Sequence, residues 1–199
     1  MKKKLKFVIV GCGRISKKHV ELFQKKRIKN AILIGVCDSK IEKAKIYNKL
    51  YKIPYFKNSS EMIKLTNPDV IVILTESGNH ARDVIKLSKF KKHIIVEKPM
   101  ALKIKDAQLM IKECKKNKIK LFIVKQNRFN LPVIQLKKAL EKNRFKKITL
   151  ATVRVRWSRR QEYYDNDDWR GTHKMDGGVL SNQASHHVDL IDWLMDGIK

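Results

Sequence analysis

The chain has 199 residues, of which 43% are hydrophobic and 33% charged, and it carries a formal net charge of +27. That length can bury a sizeable core in one or two domains. No apolar run is long enough to span a membrane, and Phe7–Val10 is too short for a signal-peptide core, so a cytoplasmic protein with no membrane partner is expected.

Leu5 lies in a basic amino-terminal stretch, and Lys6–Val10 reads as a first strand running directly into Gly11-Cys12-Gly13-Arg14-Ile15-Ser16. A helix follows, with Ile15, His19, Leu22 and Phe23 predicted on one face. Ala31–Cys37 is a second apolar strand ending at Asp38, after which Ser39 can cap the next helix. This is a βαβ unit with G-x-G-x-x-S at its first turn. The first Gly permits the tight turn, and the second lets the backbone approach a pyrophosphate at a helix N-terminus. Ser16 stands where a third Gly is usual and is small enough for helix–strand packing. Asp38 would accept hydrogen bonds from ribose hydroxyls and repel a 2′-phosphate, which favours NAD over NADP; Lys40 leaves room for NADP.

The alternation continues with Tyr55-Phe56 as a short strand, a small helix capped by Ser59 or Ser60, and a strand over Val70–Leu74. Thr75–Asn79 forms a loop at that strand's carboxyl end. The helix after it runs to about Phe90, with Ala81, Val84, Ile85 and Ser88 inward. His93–Val96 leads into Glu97-Lys98-Pro99. Ligands of open parallel sheets bind outside the carboxyl ends of the strands, so this charged pair is a candidate active-site element, and Pro99 reads as a rigid turn aiming Lys98. Strand-Glu-Lys-Pro is also an ordinary way to leave a sheet. Lys103–Lys116 is an amphipathic helix with Ile104, Ala107, Ile111 and Cys114 on one face, and Leu121–Val124 closes the series. Strands and helices alternating at this spacing predict an α/β fold with a doubly wound parallel sheet over residues 1–124.

The pattern changes at Gln126-Asn127-Arg128, where a second domain, residues 125–199, is expected to begin. Pro132–Lys142 is a helix, and Lys147–Trp157 alternates like a long strand. A polar, aromatic loop runs from Ser158 to Met175, and Gly177-Gly178 open a last helix, Val179–Met195. One strand cannot make a sheet, so this α+β domain reads as incomplete, as in a truncated form of a longer protein. On the last helix Asn182 and His186 would share a face, with Asp189 one turn on and able to orient the His186 ring. The same residues could also serve a mere packing or solvent-facing role.

Cys12, Cys37 and Cys114 are far apart with no CxxC pair, which argues against a disulfide framework or a zinc site, and no metal is expected. Most of the basic residues are lysines spread through nearly every segment, with no basic stripe interleaved with aromatics. They read as a solvated surface bias rather than a specific nucleic-acid site. The arginines differ: Arg154, Arg156, Arg159, Arg160 and Arg170 crowd one region, as an anion site would.

Gly11-Cys12-Gly13-Arg14-Ile15-Ser16, His19, Asp38, Thr75 with His80, Glu97-Lys98-Pro99, and Gly177-Gly178 with Asn182 and His186 together resemble the Gfo/Idh/MocA oxidoreductases, which include glucose–fructose oxidoreductase and inositol dehydrogenase. The resemblance implies an N-terminal Rossmann domain for NAD(P) and a C-terminal domain carrying the substrate site and the contacts of a homo-oligomer, dimer or tetramer. It implies cofactor contacts at Gly11, Gly13, Arg14, Ile15 and Asp38. Thr75, His80, Glu97, Lys98 and Gln126 would lie near the nicotinamide, with Trp169 and Arg170 close by. A finer resemblance, over Arg156–Thr172 and Asn182-Gln183, is to the branch that oxidises C3 of UDP-N-acetylglucosamine-type sugars, often the uronic acid. It implies substrate contacts at Lys98, Arg156, Arg159, Tyr163, Tyr164, Asn182, Gln183 and His186. Glu76 stands where the family usually has Pro. Asn182 stands where many members have Asp and cannot be a base, so proton removal falls to His186 with Lys98 and Asn182 beside it. The alternatives are a dehydrogenase of a free sugar, inositol or other polyol, and a non-catalytic NAD- or sugar-binding protein.

Overall fold

The computed structural model describes residues 3–197. The chain divides into two compact units with the boundary between Ile123 and Val124.

In the first unit six strands are arranged in one sheet: β1 (Leu5–Val10), β2 (Ala31–Cys37), β3 (Tyr55–Phe56), β4 (Val70–Ile73), β5 (His93–Val96) and β6 (Leu121–Ile123). Their order is β3-β2-β1-β4-β5-β6 and every pairing is parallel, with Ile9 opposite Val36 on one side and Val72 on the other. The order reverses between β1 and β4, the switch point at which open α/β sheets bind their ligands. Because side chains alternate across a strand, Val8, Val10, Ile71, Ile73, Ile94 and Val96 enter one core, packed by α3 (Ser59–Thr66), α4 (His80–Ser88) and α5 (Ile104–Lys116). Phe7, Ile9, Val70 and Val72 enter the other, covered by α1 (Ser16–Gln24) and α2 (Ile41–Tyr51). Burial on both faces explains why the strands read as near-continuous apolar runs.

Several local expectations are corrected. The third helix is capped by Asn58, whose side-chain oxygen accepts from the Ser60 and Glu61 N–H groups at 2.9 and 3.1 Å, and not by either serine. Ser39 caps nothing; the carboxylate of Asp38 accepts from the Lys40 N–H instead. On α1 the inward residues are Ser16 and Val20, with Phe23 against Phe7, while Leu22 faces out. On α5 the inward line is Ala107, Met110 and Cys114; Ile104 and Ile111 are exposed. A three-to-four residue period admits more than one stripe, and the sheet selects the one that meets Ile94 and Val96.

The second unit contains α6 (Leu131–Glu141), α7 (Gln161–Asp165), α8 (His173–Asp176), α9 (Gly178–Ser181) and α10 (Ser185–Leu194). The strand expected over Lys147–Trp157 does not form: residues 148–160 carry no regular structure and are exposed. A strand exists only by pairing, and among the described residues this unit offers no other strand. The long last helix is likewise two pieces. Gly177 and Gly178 take φ values of 78 and 79°, α9 ends at Ser181 with Asn182 as its C-cap, and the chain turns before α10 starts.

Candidate active site

At the carboxyl edge of the first unit's sheet, Gly11 takes φ +98°, and a Cβ there would sit 2.6–2.7 Å from the backbone of Leu74 and Thr75. Only Gly fits. A Cβ at Gly13 would meet nothing within 4 Å, so this side of the loop is open to a ligand. Ser16 is fully buried; its hydroxyl donates to the Gly13 carbonyl at 2.5 Å and lies 2.7 Å from the Tyr47 hydroxyl. The residue that replaces the third Gly therefore ties the loop to α2. Asp38 accepts from the Cys12 N–H and the Lys40 N–H, both at 2.8 Å, which fixes its carboxylate beside the glycine loop. An open glycine turn on a helix N-terminus, with an acid held at the end of the neighbouring strand, fits the pyrophosphate and ribose of NAD. Arg14 is exposed and Ile15 is the N-cap of α1.

The exits of the next two strands, β4 and β5, carry the polar residues expected near the site. The Thr75 hydroxyl donates to Asp83 at 2.8 Å, and Glu76 accepts from the Asn79 side chain at 2.8 Å, so the residue replacing the usual Pro holds its own loop. His80 is 1% exposed, with its ring nitrogens against the Pro99 and Thr75 carbonyl oxygens. Glu97 is buried and meets His19 Nε2 at 3.0 Å, while its other oxygen accepts from the Lys98 N–H at 3.1 Å. Burial pushes the Glu97 carboxyl up, but His19 and Lys98 outweigh it and hold the group below its ordinary range. Glu97 stays ionised and anchors the backbone from which Lys98 projects. Lys98 is half-buried, and the Lys98–Pro99 peptide is cis.

The second unit gathers a different set. His186 is buried, and its Nε2 lies 3.2 Å from the Gln126 carboxamide nitrogen. An amide nitrogen only donates, so Nε2 is the ring's acceptor and carries a lone pair. Asp189 does not orient that ring. It grips Arg128 with both oxygens at 2.7 Å, with Lys125 at 3.5 Å, because a bidentate guanidinium is the stronger partner. Asn182, expected to share a continuous helix with His186, sits in the turn between α9 and α10 and donates from its carboxamide to Asp176. Asp176 is buried and also accepts from the Gly171 N–H at 2.9 Å. It was not singled out from sequence; its place just before a glycine pair is the available signal.

The arginine-rich loop forms an interleaved stack. Arg170 lies over Tyr163 and Trp169, at 4.8 and 4.5 Å from the ring centroids, and donates to the Tyr163 hydroxyl at 2.8 Å. Arg159 lies over Trp157 at 4.8 Å and Tyr163 at 5.5 Å. Gln183 donates to the Tyr163 hydroxyl at 3.3 Å, and Tyr164 packs edge-on against Tyr163. Arg159, Tyr163, Tyr164, Trp169, Arg170 and Gln183 are thus brought together, whereas Arg156 stays exposed in the irregular segment.

The family model for oxidoreductases with an NAD-binding Rossmann fold matches residues 5–125, and the Gfo/Idh/MocA C-terminal domain matches residues 133–199. The chain belongs to the Gfo/Idh/MocA oxidoreductase family. Among solved family members it is similar to the WlbA dehydrogenase of Bordetella pertussis in complex with NADH and UDP-GlcNAcA, with 40% identity and a TM-score of 0.93, covering 98% of this chain and 58% of that one. The Chromobacterium violaceum WlbA structure matches equally well, at 40% identity and 0.93, covering 98% and 56%. Among curated Gfo/Idh/MocA relatives, myo-inositol 2-dehydrogenase of Thermotoga maritima is 28% identical over 94% of this chain and 54% of its own. The chain spans about half the length of the curated relatives it matches.

Proposed function

We propose that the chain acts in an NAD-dependent dehydrogenase that oxidises a secondary hydroxyl, at C3 of a UDP-N-acetylglucosamine-type sugar or its uronic acid. What supports this reading is the 40% identity over nearly the whole chain to enzymes bound to NADH and UDP-GlcNAcA. The Arg159–Tyr163–Arg170 stack supports it independently, since stacked guanidiniums suit a diphosphate or a uronate. When bound, NAD+ supplies the carbon that accepts the hydride. The chain's residues do the rest. Asp38 receives the ribose hydroxyls, and the open face at Gly13 admits the pyrophosphate. His186 accepts the hydroxyl proton on Nε2, the lone pair that the Gln126 amide occupies until the sugar hydroxyl displaces it. Lys98 stabilises the negative charge that develops on the sugar oxygen, with its backbone anchored by Glu97. Asn182, an amide held by Asp176, hydrogen-bonds and orients but takes no proton.

Reduction of NAD+ by a panel of UDP-sugars tests the reading. General acid–base groups are worth roughly 10²–10⁴ in rate. Lys98→Ala and His186→Ala are therefore each expected to lose about that factor in kcat while still binding NAD+; wild-type rates in both would remove the proposed roles. A free polyol substrate is the second reading, favoured by the similarity to myo-inositol 2-dehydrogenase; turnover of polyols with none of UDP-sugars would select it. On either reading the protein works in the cytoplasm and as a dimer or tetramer, which light scattering after gel filtration would test.

A further inference from the structure

The side chain of His80 is enclosed and yet touches two separate exits of the sheet. It stands at the first position of α4, 1% exposed, with Nδ1 2.7 Å from the Pro99 carbonyl oxygen and Nε2 2.9 Å from the Thr75 carbonyl oxygen. Thr75 is the loop after β4, and Pro99 is the turn after β5 that carries Lys98. Carbonyl oxygens only accept, so for both contacts to be hydrogen bonds both ring nitrogens must carry hydrogen, which makes the enclosed ring an imidazolium cation. With both nitrogens committed inside the protein, the ring has no polar atom left for a cofactor. Thr75 is held a second time, through its hydroxyl to the buried carboxylate of Asp83 on the next turn of α4. The amino-terminal end of α4 thus grips one catalytic loop by two bonds and the other by one.

We propose that His80 is a positioning residue, a buried double donor that sets the Lys98–Pro99 turn in register with the Thr75 loop, and is not a cofactor ligand. The inference rests on the role given to Lys98 above. The buried Pro99 carbonyl and the part-buried Thr75 carbonyl would both lose this donor if the ring were lost, and the two loops would then be free to shift. A displacement of about 1 Å at a catalytic group can cost roughly 10² in rate.

The test compares wild type with His80→Gln, whose single amide nitrogen can serve one carbonyl and not both. Expected are a fall in kcat of roughly 10²-fold, with KM for the sugar and the calorimetric dissociation constant for NAD+ unchanged. Expected as well, in the wild type, are two exchange-protected imidazole N–H resonances of His80 in proton–nitrogen NMR. A loss of NAD+ affinity matching the loss of kcat would make His80 a cofactor ligand and overturn the proposal. So would an unchanged kcat, or a single imidazole N–H. If His80→Gln does not fold, the resonances of the wild type decide. If wild type reduces no NAD+ with any sugar, the functional reading has failed by itself. The staple then stands or falls on the two resonances and on whether His80→Gln changes the rate of reductive methylation at Lys98.

Discussion

Individual residues owe their behaviour here to enclosure more than to identity. Cys12 is the clearest example, because it lies inside the dinucleotide loop and could be taken for a nucleophile. Burial, with Asp38 and Cys37 beside it, pushes its thiol far above the ordinary range; burial likewise pushes Cys37 up to about 12 and raises Cys114. All three thiols are free and buried. Since the thiolate is the reactive form, iodoacetamide at neutral pH is expected to label none of them until denaturant is added, with mass spectrometry as the readout. Ser16 shows the converse. Its size suits the slot of a missing Gly, but its use, a bond to Gly13 and one to Tyr47, needs α2 to be in place. Spacing in sequence carries the first property and not the second. For the same reason His80 belongs to the motif that carries the family resemblance while its two carbonyl partners are not legible in the sequence: they come from loops that adjoin only once the sheet is built.

Elements joined by short local rules were legible, and those needing a distant partner were not. The strands of the sheet announced themselves because both faces are buried. Alternation over Lys147–Trp157 looked equally convincing, but alternation specifies faces and says nothing about whether a neighbour exists. The turn at Asn182 is not legible in the sequence, because a glycine pair is equally compatible with one helix start and with two left-handed residues opening a single short turn. At this scale two outcomes are expected. Gly11→Ala forces a Cβ against backbone at positive φ, which costs at least about 1–2 kcal/mol. It should lower the melting temperature by several degrees and weaken NAD+ binding in calorimetry. The second concerns acid. Burial raises the Asp189 carboxyl, but Arg128 and Lys125 outweigh it and hold it below its ordinary value, as His19 and Lys98 do for Glu97. A carboxyl depressed in the fold binds fewer protons there than in the unfolded chain, so its stabilisation is present above the unfolded value of about 4. It is lost as pH falls through the folded value. Urea midpoints should therefore drop below about pH 4, and Asp189→Asn should flatten that drop; an equally steep acid limb in the variant would exclude the Arg128 pair as its source.

For the whole molecule, the two units differ in how their order is secured. The first has two cores on either face of a six-stranded sheet. The second is held by ion pairs and cation–ring stacks: Arg128 with Asp189, and Arg128 and Lys137 over Trp193 at 5.2 and 5.5 Å. Between α6 and α7 runs the exposed segment 148–160, rich in Arg. Brief digestion with trypsin is expected to cut there first, at Arg154, Arg156, Arg159 or Arg160, leaving the sheet unit intact; early cuts among the many lysines of residues 3–123 would contradict it. The net charge of +27 has a whole-molecule effect of its own, attracting polyanions without selecting among them.

Asp38 carries a consequence for altering the protein. Two backbone N–H groups hold its carboxylate still, one from the glycine loop and one from the start of α2. A carboxylate so pinned cannot swing aside for a bulkier, doubly charged neighbour. Discrimination between the two nicotinamide dinucleotides is then a property of stiffness as much as of sign. Swapping in an apolar side chain would remove the repulsion and, in the same stroke, release the amide of Cys12 that shapes the phosphate turn. Relaxed cofactor choice and a loosened grip on either cofactor should then arrive together, so re-engineering this preference calls for a replacement that is uncharged and still an acceptor, such as Asn, whose single oxygen can keep the Cys12 bond but not the Lys40 bond as well.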